Sequence, residues 1–448
     1  MVNARTGEGH DGERSLPGLL RGKIAKTESS ARFAEPAEPV GPAVTSIAAV
    51  DRRRVKESFL RLGTSPQFAM DYLYARLFVQ SPALRSLFPL SMEHTRATTF
   101  RMLVDLMENL DDPERADLML AELGRDHRKF GVKDEHYQPF FDCLLATIEQ
   151  VSGQAWTDDL RRAWRAVLTY FAATMTAAAQ EDGRSQPAWW IGEIVQHDQR
   201  TPTIAVLTIR PDRPLSYHPG QYVSVQVPKW PRVWRKYSIA NAPRENGLLD
   251  IHVRAVPGGM VSTALVSHSG TGDTLTLAAA RGDLRVPADQ DRDIVCVAGG
   301  TGLAPVKAIV ESIVAQTRQG KRRSVTLYLG ARHGGDLYDM RDLATLRLAY
   351  PALTLVPVAE SDPDWSAGGF LGVALPGQHS WPAGKLPDVV ARHPSFRDTE
   401  VYVAGPAGLV TATTRALGHR VPADRFHHDS LDALLAASHP VPAPGLAR

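Results

Sequence analysis

Four stretches of this sequence carry side chains with chemistry to offer. Ala298-Gly-Gly-Thr-Gly-Leu-Ala-Pro305 directly follows an apolar run, Ile294–Val297. Glycines there let the backbone approach a dinucleotide's phosphates closely, and a proline fits the first turn of the helix that follows. Strand, glycine loop and helix in that order is the context that gives such a motif meaning, so Gly300, Thr301 and Gly302 are candidate contacts and a plain turn is the lesser reading. Arg235-Lys-Tyr-Ser238 comes after Pro219-Gly-Gln-Tyr222. Strand alternation puts Arg235 and Tyr237 on one face, where a guanidinium can pair with a diphosphate and a phenol ring can cover a flat isoalloxazine. Taken alone, Arg-x-Tyr-Ser fits an ordinary exposed strand more readily than a site. Gly258-Gly-Met-Val-Ser-Thr263 opens a helix with two glycines, so Gly258, Gly259, Val261, Ser262 and Thr263 offer backbone N–H groups and hydroxyls to an anion. A glycine-rich turn with a serine cap accounts for that segment equally well. The fourth is His127, which shares a helix face with Leu120 and Leu123. A histidine so placed is more often a satisfied core residue than a ligand.

These residues are held by three kinds of element. From Val44 to about Ala179 the pattern is helical: a run carrying Val55, Phe59 and Leu60, then Gln67–Phe88, Thr95–Leu110, Pro113–Phe130, 134–151 and 157–179. After Ser185 the runs alternate (Trp189–Val195, Thr203–Ile209, Gln221–Val227, Leu249–Val253, Asp273–Ala278), which predicts an antiparallel barrel. Near Asp293 apolar strands begin to alternate with helices: Ile294–Ala298, Ser324–Leu329, Leu353–Val358 and Glu400–Val403. That pattern predicts a parallel α/β sheet with crossover helices. The expected order is a disordered tail (1–46), an all-α domain (47–182), a β-barrel domain (185–290), a parallel-sheet α/β domain (291–436) and a frayed end (437–448). The tail includes Glu35-Pro-Ala-Glu-Pro-Val-Gly-Pro42, which buries too little apolar surface to offset its ordering entropy.

Bulk properties narrow the partners. The chain has 448 residues, and 51 Lys+Arg against 49 Asp+Glu leaves no basic excess for nucleic acid or an anionic membrane. No apolar run is long enough to span a bilayer, and Met1–Ser15 lacks a secretory layout, so a cytoplasmic protein without membrane insertion is expected, as a monomer or weak dimer. Cys143 and Cys296 sit far apart in apolar surroundings and read as buried, inert thiols. Two cysteines cannot hold a four-cysteine iron–sulfur cluster, and no Cys-x-x-Cys-His is present.

In order and spacing, the three C-terminal motifs resemble the ferredoxin–NADP reductase superfamily over roughly residues 187 to 432, including Tyr402-Val-Ala-Gly-Pro406. The resemblance implies that Arg235, Tyr237 and Ser238 hold FAD with Tyr222 and the Gly258–Thr263 loop. It implies that Gly300, Thr301, Gly302, Gly405 and Pro406 line an NAD(P)H site. Two departures stand out: Ala404 replaces a frequent cysteine, and Leu431 replaces an aromatic near the flavin. Arg332, after a sheet strand, could meet a ribose phosphate or simply be solvated.

Leu123-Gly-Arg-Asp-His-Arg-Lys-Phe-Gly-Val132, with Tyr137 ten residues beyond the histidine and Tyr74-Ala-Arg-Leu-Phe78 upstream, resembles the globin domain of bacterial flavohaemoglobins over about residues 48 to 182. Globin, flavin domain, nicotinamide domain is that family's order. The resemblance implies haem b with His127 as proximal iron ligand, Tyr137 hydrogen-bonding near it, Tyr74 donating its hydroxyl to dioxygen on the distal side, and Phe88 packing on the porphyrin. For Tyr74 and Phe88, simple core packing is the alternative. Counting back from Phe100, Thr95 and Thr99 take the places of the family's distal Gln and Leu, on one face with Met102 and Leu106. His94 is expected to face out. The proximal Glu of the family falls at Ala179, with Glu181 two residues further, so that relay is either absent or shifted.

The resemblance implies nitric oxide dioxygenation, with NAD(P)H, dioxygen and nitric oxide as small-molecule partners. A diaphorase acting on other acceptors, and a gas-binding or sensing globin kept ferrous by its own reductase, are the rivals. No kinase, cyclase or DNA-binding segment stands ready to receive a sensor's signal.

Overall fold

The computed structural model describes residues 47–286, 291–317, 323–361 and 381–428. The expected tail, the frayed end and Leu431 lie outside the described residues. The first part is helical: α1 (Ala49–Leu62), α2 (Pro66–Gln80), α3 (Glu93–Glu108), α4 (Pro113–His127), α5 (Tyr137–Ser152) and α6 (Asp158–Ser185). α4 starts on Asp112, whose carboxylate accepts from the Arg115 N–H, with proline at the first position. Two expectations shift. The long run 67–88 breaks at Ser81, because Pro82 cannot continue a helix, and resumes as the short 3-10 helix Pro82–Leu87. Leu60, expected on the packed face of α1, is 72% exposed, while Val55, Phe59 and Leu62 carry the packing.

The second part is a six-stranded antiparallel sheet in the order β4-β3-β6-β1-β2-β5, built from β1 (Trp190–Thr201), β2 (Ile204–Pro211), β3 (Tyr222–Gln226), β4 (Arg235–Ser238), β5 (Leu249–Arg254) and β6 (Thr274–Leu277). Its core includes Ile209, Val223, Val225, Ile251 and Leu277, with the short helix α7 (Met260–Ser267) packed on it through Val261, Ala264 and Leu265.

The third part is a five-stranded parallel sheet in the order β11-β10-β7-β8-β9: β7 (Asp293–Gly299), β8 (Val325–Ala331), β9 (Leu353–Ala359), β10 (Thr399–Ala404) and β11 (Phe426–His428). Helices α8 (Leu303–Thr317), α9 (Met340–Ala349), α10 (Leu386–Val390) and α11 (Ala407–Leu417) connect the strands. The chain leaves β7 toward β8 and β9, then returns to place β10 on its other side. The crevice above the carboxyl ends of β7 and β10 is therefore a topological switch point, the favoured place for a ligand in such sheets. Cys143 and Cys296 are buried free thiols, as expected.

Candidate functional site

At that switch point the glycine loop runs from β7 through Gly300–Gly302 into α8, with Pro305 in its first turn. A Cβ on Gly302 would lie 2.4 Å from the Ala404 carbonyl oxygen, so only glycine lets this loop press against the end of β10. The structure thus brings together Gly300, Thr301 and Gly302 with Gly405 and Pro406. It adds Arg254, at the end of β5: its Nη2 lies 3.5 Å from where a Gly300 Cβ would stand. Arg254 pairs with no carboxylate among the described residues, and its guanidinium faces the loop. Sequence reading missed it, since nothing in the spacing of β5 relates it to a loop some 46 residues away. Arg332 is exposed.

The flavin candidates divide between two faces. β3 and β4 pair with Tyr222 opposite Ser238, Ser224 opposite Lys236, Val223 opposite Tyr237 and Val225 opposite Arg235. Arg235 and Tyr237 share one face, as alternation requires, whereas Tyr222 and Ser238 share the other, where Lys236 Nζ sits 4.6 Å from the Tyr222 ring centre. Arg235 donates to the carbonyl of Trp234 at 2.8 Å and pairs with no carboxylate among the described residues. A half-buried guanidinium left without an anion fits a diphosphate. Tyr237 is half-buried beside it, and its burial keeps the phenol protonated. In the Gly258 loop, Gly258 has φ +73°, a conformation that favours glycine. Ser262 Oγ is engaged within the turn, accepting from the Val256 N–H at 3.3 Å and contacting the Gly259 carbonyl. Val261 is a core side chain. What the loop offers an anion is therefore the N–H groups of the first turn of α7, which no side chain caps, with the Thr263 side chain half-exposed beside them.

In the helical domain, His127 ends α4. Burial pulls its pKa down to about 4, so the imidazole is neutral and keeps a lone pair for a metal. Its ring stacks on Tyr137 at 6.0 Å, and the Tyr137 hydroxyl lies 3.5 Å from Nδ1. Tyr74 is buried to 1% exposure, and its hydroxyl hydrogen-bonds with Thr99 Oγ1 at 2.7 Å. Phe88 packs edge-on against Tyr74 at 5.5 Å. The apolar cluster containing Tyr74 and Tyr137 leaves Leu87, Phe88, Met102, Leu123, Val132 and Phe140 half-buried. A neutral imidazole with so much partly covered apolar surface suits a large flat macrocycle, so the residues present fit a haem. Thr95 and Thr99 are half-buried, and His94 is exposed, with Arg235 and Arg101 helping to hold its pKa down after desolvation. No carboxylate hydrogen-bonds to His127 among the described residues. Glu181 is exposed and paired with Arg184 instead, so the shifted relay is not formed.

The helical domain and the barrel are joined by a charged and aromatic seam that the sequence did not reveal. Asp182, near the end of α6, binds both Arg128 and Arg281. Lys129, 6% exposed, bonds Asp126 at 2.6 Å and reaches across to Ser224 Oγ at 3.2 Å. Phe130 meets Trp234 edge-on at 6.4 Å, next to Arg235. The histidine-bearing segment therefore abuts the strand pair proposed for the flavin. A second seam ties barrel to parallel sheet: Arg200 bonds Asp342 at 3.0 Å and His252 Nδ1 meets the Tyr338 hydroxyl at 2.7 Å, with Asp339 held from its own side by Lys307 at 2.7 Å.

This arrangement defines a three-domain oxidoreductase with haem, FAD and NAD(P) sites in one chain. Comparison with known proteins bears this out: the globin family matches residues 71–175, the oxidoreductase FAD-binding domain residues 193–285 and the oxidoreductase NAD-binding domain residues 296–415. The chain is 28% identical to a flavohemoprotein of Chromobacterium violaceum over 403 residues, 82% of this chain and 93% of that one. It is 32% identical to the xylene/toluene monooxygenase electron transfer component of Pseudomonas putida over 234 residues, 50% of this chain, and spans 62% of that protein's length. The crystal structure of a flavohaemoglobin from Malassezia yamatoensis with bound FAD and haem shares the fold, with a TM-score of 0.69 over 85% of this chain and 98% of that one at 16% identity. The chain therefore joins a globin domain to FAD-binding and NAD-binding oxidoreductase domains, the order in which it is similar to flavohaemoglobins. It passes electrons from NAD(P)H through FAD to the globin domain. No helix among the described residues is long and apolar enough to cross a membrane.

Proposed function

We propose that the chain is a nitric oxide dioxygenase. Nitric oxide, dioxygen and one electron balance to nitrate, and NAD(P)H supplies the electrons. The observation that carries this reading is Tyr74. A protonated phenol, buried in an apolar cluster and hydrogen-bonded to Thr99 at 2.7 Å, is a donor suited to a small diatomic ligand and offers nothing to a large anionic acceptor.

In this reading His127 holds the haem iron, and Tyr137 stacks on its ring and keeps company with its other nitrogen. Arg235 and the free N–H groups of α7 hold the FAD diphosphate, with Tyr237 against the ring system. Gly300, Thr301, Gly302, Gly405 and Pro406 receive NAD(P)H, with Arg254 facing the same loop. FAD, when bound, accepts a hydride and releases single electrons, which the residues of this chain cannot do themselves.

A second reading has its own support. The reductase half is 32% identical to an electron transfer component, and Ala404 and Thr99 depart from the family's pattern, which favours a diaphorase serving other acceptors. Nitric oxide consumption at an electrode in air-saturated buffer, with NADH and NADPH added separately to the loaded protein, separates the two. Nucleotide-dependent loss of nitric oxide with nitrate as product is expected. No loss, with haem and FAD both bound, refutes the dioxygenase and leaves the diaphorase.

A further inference from the structure

We propose that Thr99 is a positioning residue for Tyr74: its hydroxyl takes the Tyr74 proton when no polar ligand is present and competes with a distal ligand for it. This deepens the reading of Tyr74 given above and rests on it.

Thr99 lies inside α3, and three other threonines inside helices turn their hydroxyls back on their own helix. Thr147 donates to the Cys143 carbonyl at 2.8 Å, Thr345 to Arg341 at 3.1 Å and Thr414 to Val410 at 2.9 Å. That back-bond is the ordinary habit of a helical threonine. Thr99 instead turns to a neighbouring helix, its Oγ1 2.7 Å from the hydroxyl of Tyr74 on α2.

The other close neighbours of the Tyr74 ring are Phe78 at 5.9 Å, Phe88 at 5.5 Å and Phe140 at 6.3 Å, none of which has an oxygen to offer. Arg96 acts on Tyr74 through its charge, but its guanidinium is paired with Asp71 at 3.1 Å. Burial pushes the phenol up to about 12, so it carries its proton throughout the physiological range. A phenol is the better donor of the two hydroxyls, so Tyr74 donates and Thr99 accepts. Tyr74 has one proton to give. A ligand that needs it must draw it from Thr99, and a side chain at 99 without an oxygen would leave that proton free.

The test uses the full chain loaded with haem and FAD, reduced, with dioxygen and carbon monoxide as probes. Thr99→Val is expected to slow dioxygen release by roughly two- to tenfold, the range of one neutral hydrogen bond. Release of carbon monoxide, a poor acceptor, should stay unchanged, and Thr99→Ser should restore the parent rate. Tyr74→Phe should speed dioxygen release, and in that background Thr99→Val should have no effect, since the competition has lost its donor. Thr99→Ala removes the same hydroxyl with no branched carbon to repack. Dioxygen release unchanged or faster in both Thr99→Val and Thr99→Ala, while Tyr74→Phe still alters it, overturns the inference. If Tyr74→Phe itself changes nothing, the distal reading of Tyr74 falls and takes the inference with it.

Discussion

Asp182 offers a sharp test of the seam between the globin and the barrel. Its side chain is 6% exposed and bridges two cations from different domains, Arg128 at 14% and Arg281 at 15%. Each arginine has a second partner: Arg128 donates to the Gln186 carbonyl at 2.7 Å, and Arg281 lies 3.7 Å from Glu122. The carboxylate is the shared element, so the three positions are not equivalent. Asp182→Ala leaves two buried guanidinium groups facing each other with no anion between them, a change that costs about 3–5 kcal/mol. Arg281→Met removes one charge-assisted contact and leaves Asp182 still paired with Arg128, which costs about 1.5–3 kcal/mol. Urea unfolding of the loaded protein, followed separately by haem absorbance and flavin fluorescence, reads both values. The same variants should reduce flavin with NADH at the parent rate but pass electrons to the haem more slowly, because the histidine-bearing segment is no longer held against β3 and β4. An Arg281→Met cost equal to or above that of Asp182→Ala, or an Asp182→Ala cost below about 1 kcal/mol, would refute the reasoning, since a buried shared carboxylate cannot be worth so little.

Three further outcomes are expected. His127→Ala should lose haem while retaining FAD, measured by pyridine haemochrome and flavin release; a full complement of haem would remove His127 from the proximal role. Arg235→Met should weaken FAD binding by about tenfold or more, the loss of one charge-assisted hydrogen bond, read by flavin fluorescence on dilution. Glu311, which accepts from the Ala242 N–H at 3.1 Å, is held above its ordinary pKa by burial. A carboxyl whose folded pKa is raised favours folding more as the pH falls, because the folded state then binds the extra proton. Glu311→Gln should therefore match or exceed the parent's stability at neutral pH and lose that margin as the pH approaches 4.5, by thermal unfolding across a pH series. A margin that grows on acidification would contradict this.

Much of this protein is legible in its sequence because local rules govern it. The glycine loop after Ile294–Val297, the alternation that puts Arg235 with Tyr237, and the helical face shared by Leu120, Leu123 and His127 all depend on periods of two or 3.6 residues. So did the order of an all-α domain, an antiparallel sheet and a parallel sheet. Where the chain alone misled, a local detail intervened: Pro82 broke the long helix, and Leu60 fell one position off the packed face of α1. The contacts that join the parts had no such local signal. Asp182 and Arg281 stand 99 residues apart, and Lys129 and Ser224 stand 95. Their side chains meet because the cores of three domains bury enough apolar surface to set those distances, and no spacing along the chain encodes which arginine finds which carboxylate. The kinds of chemistry the chain carries are therefore written in its sequence, while tertiary packing decides which proton, charge and ring each of those groups faces.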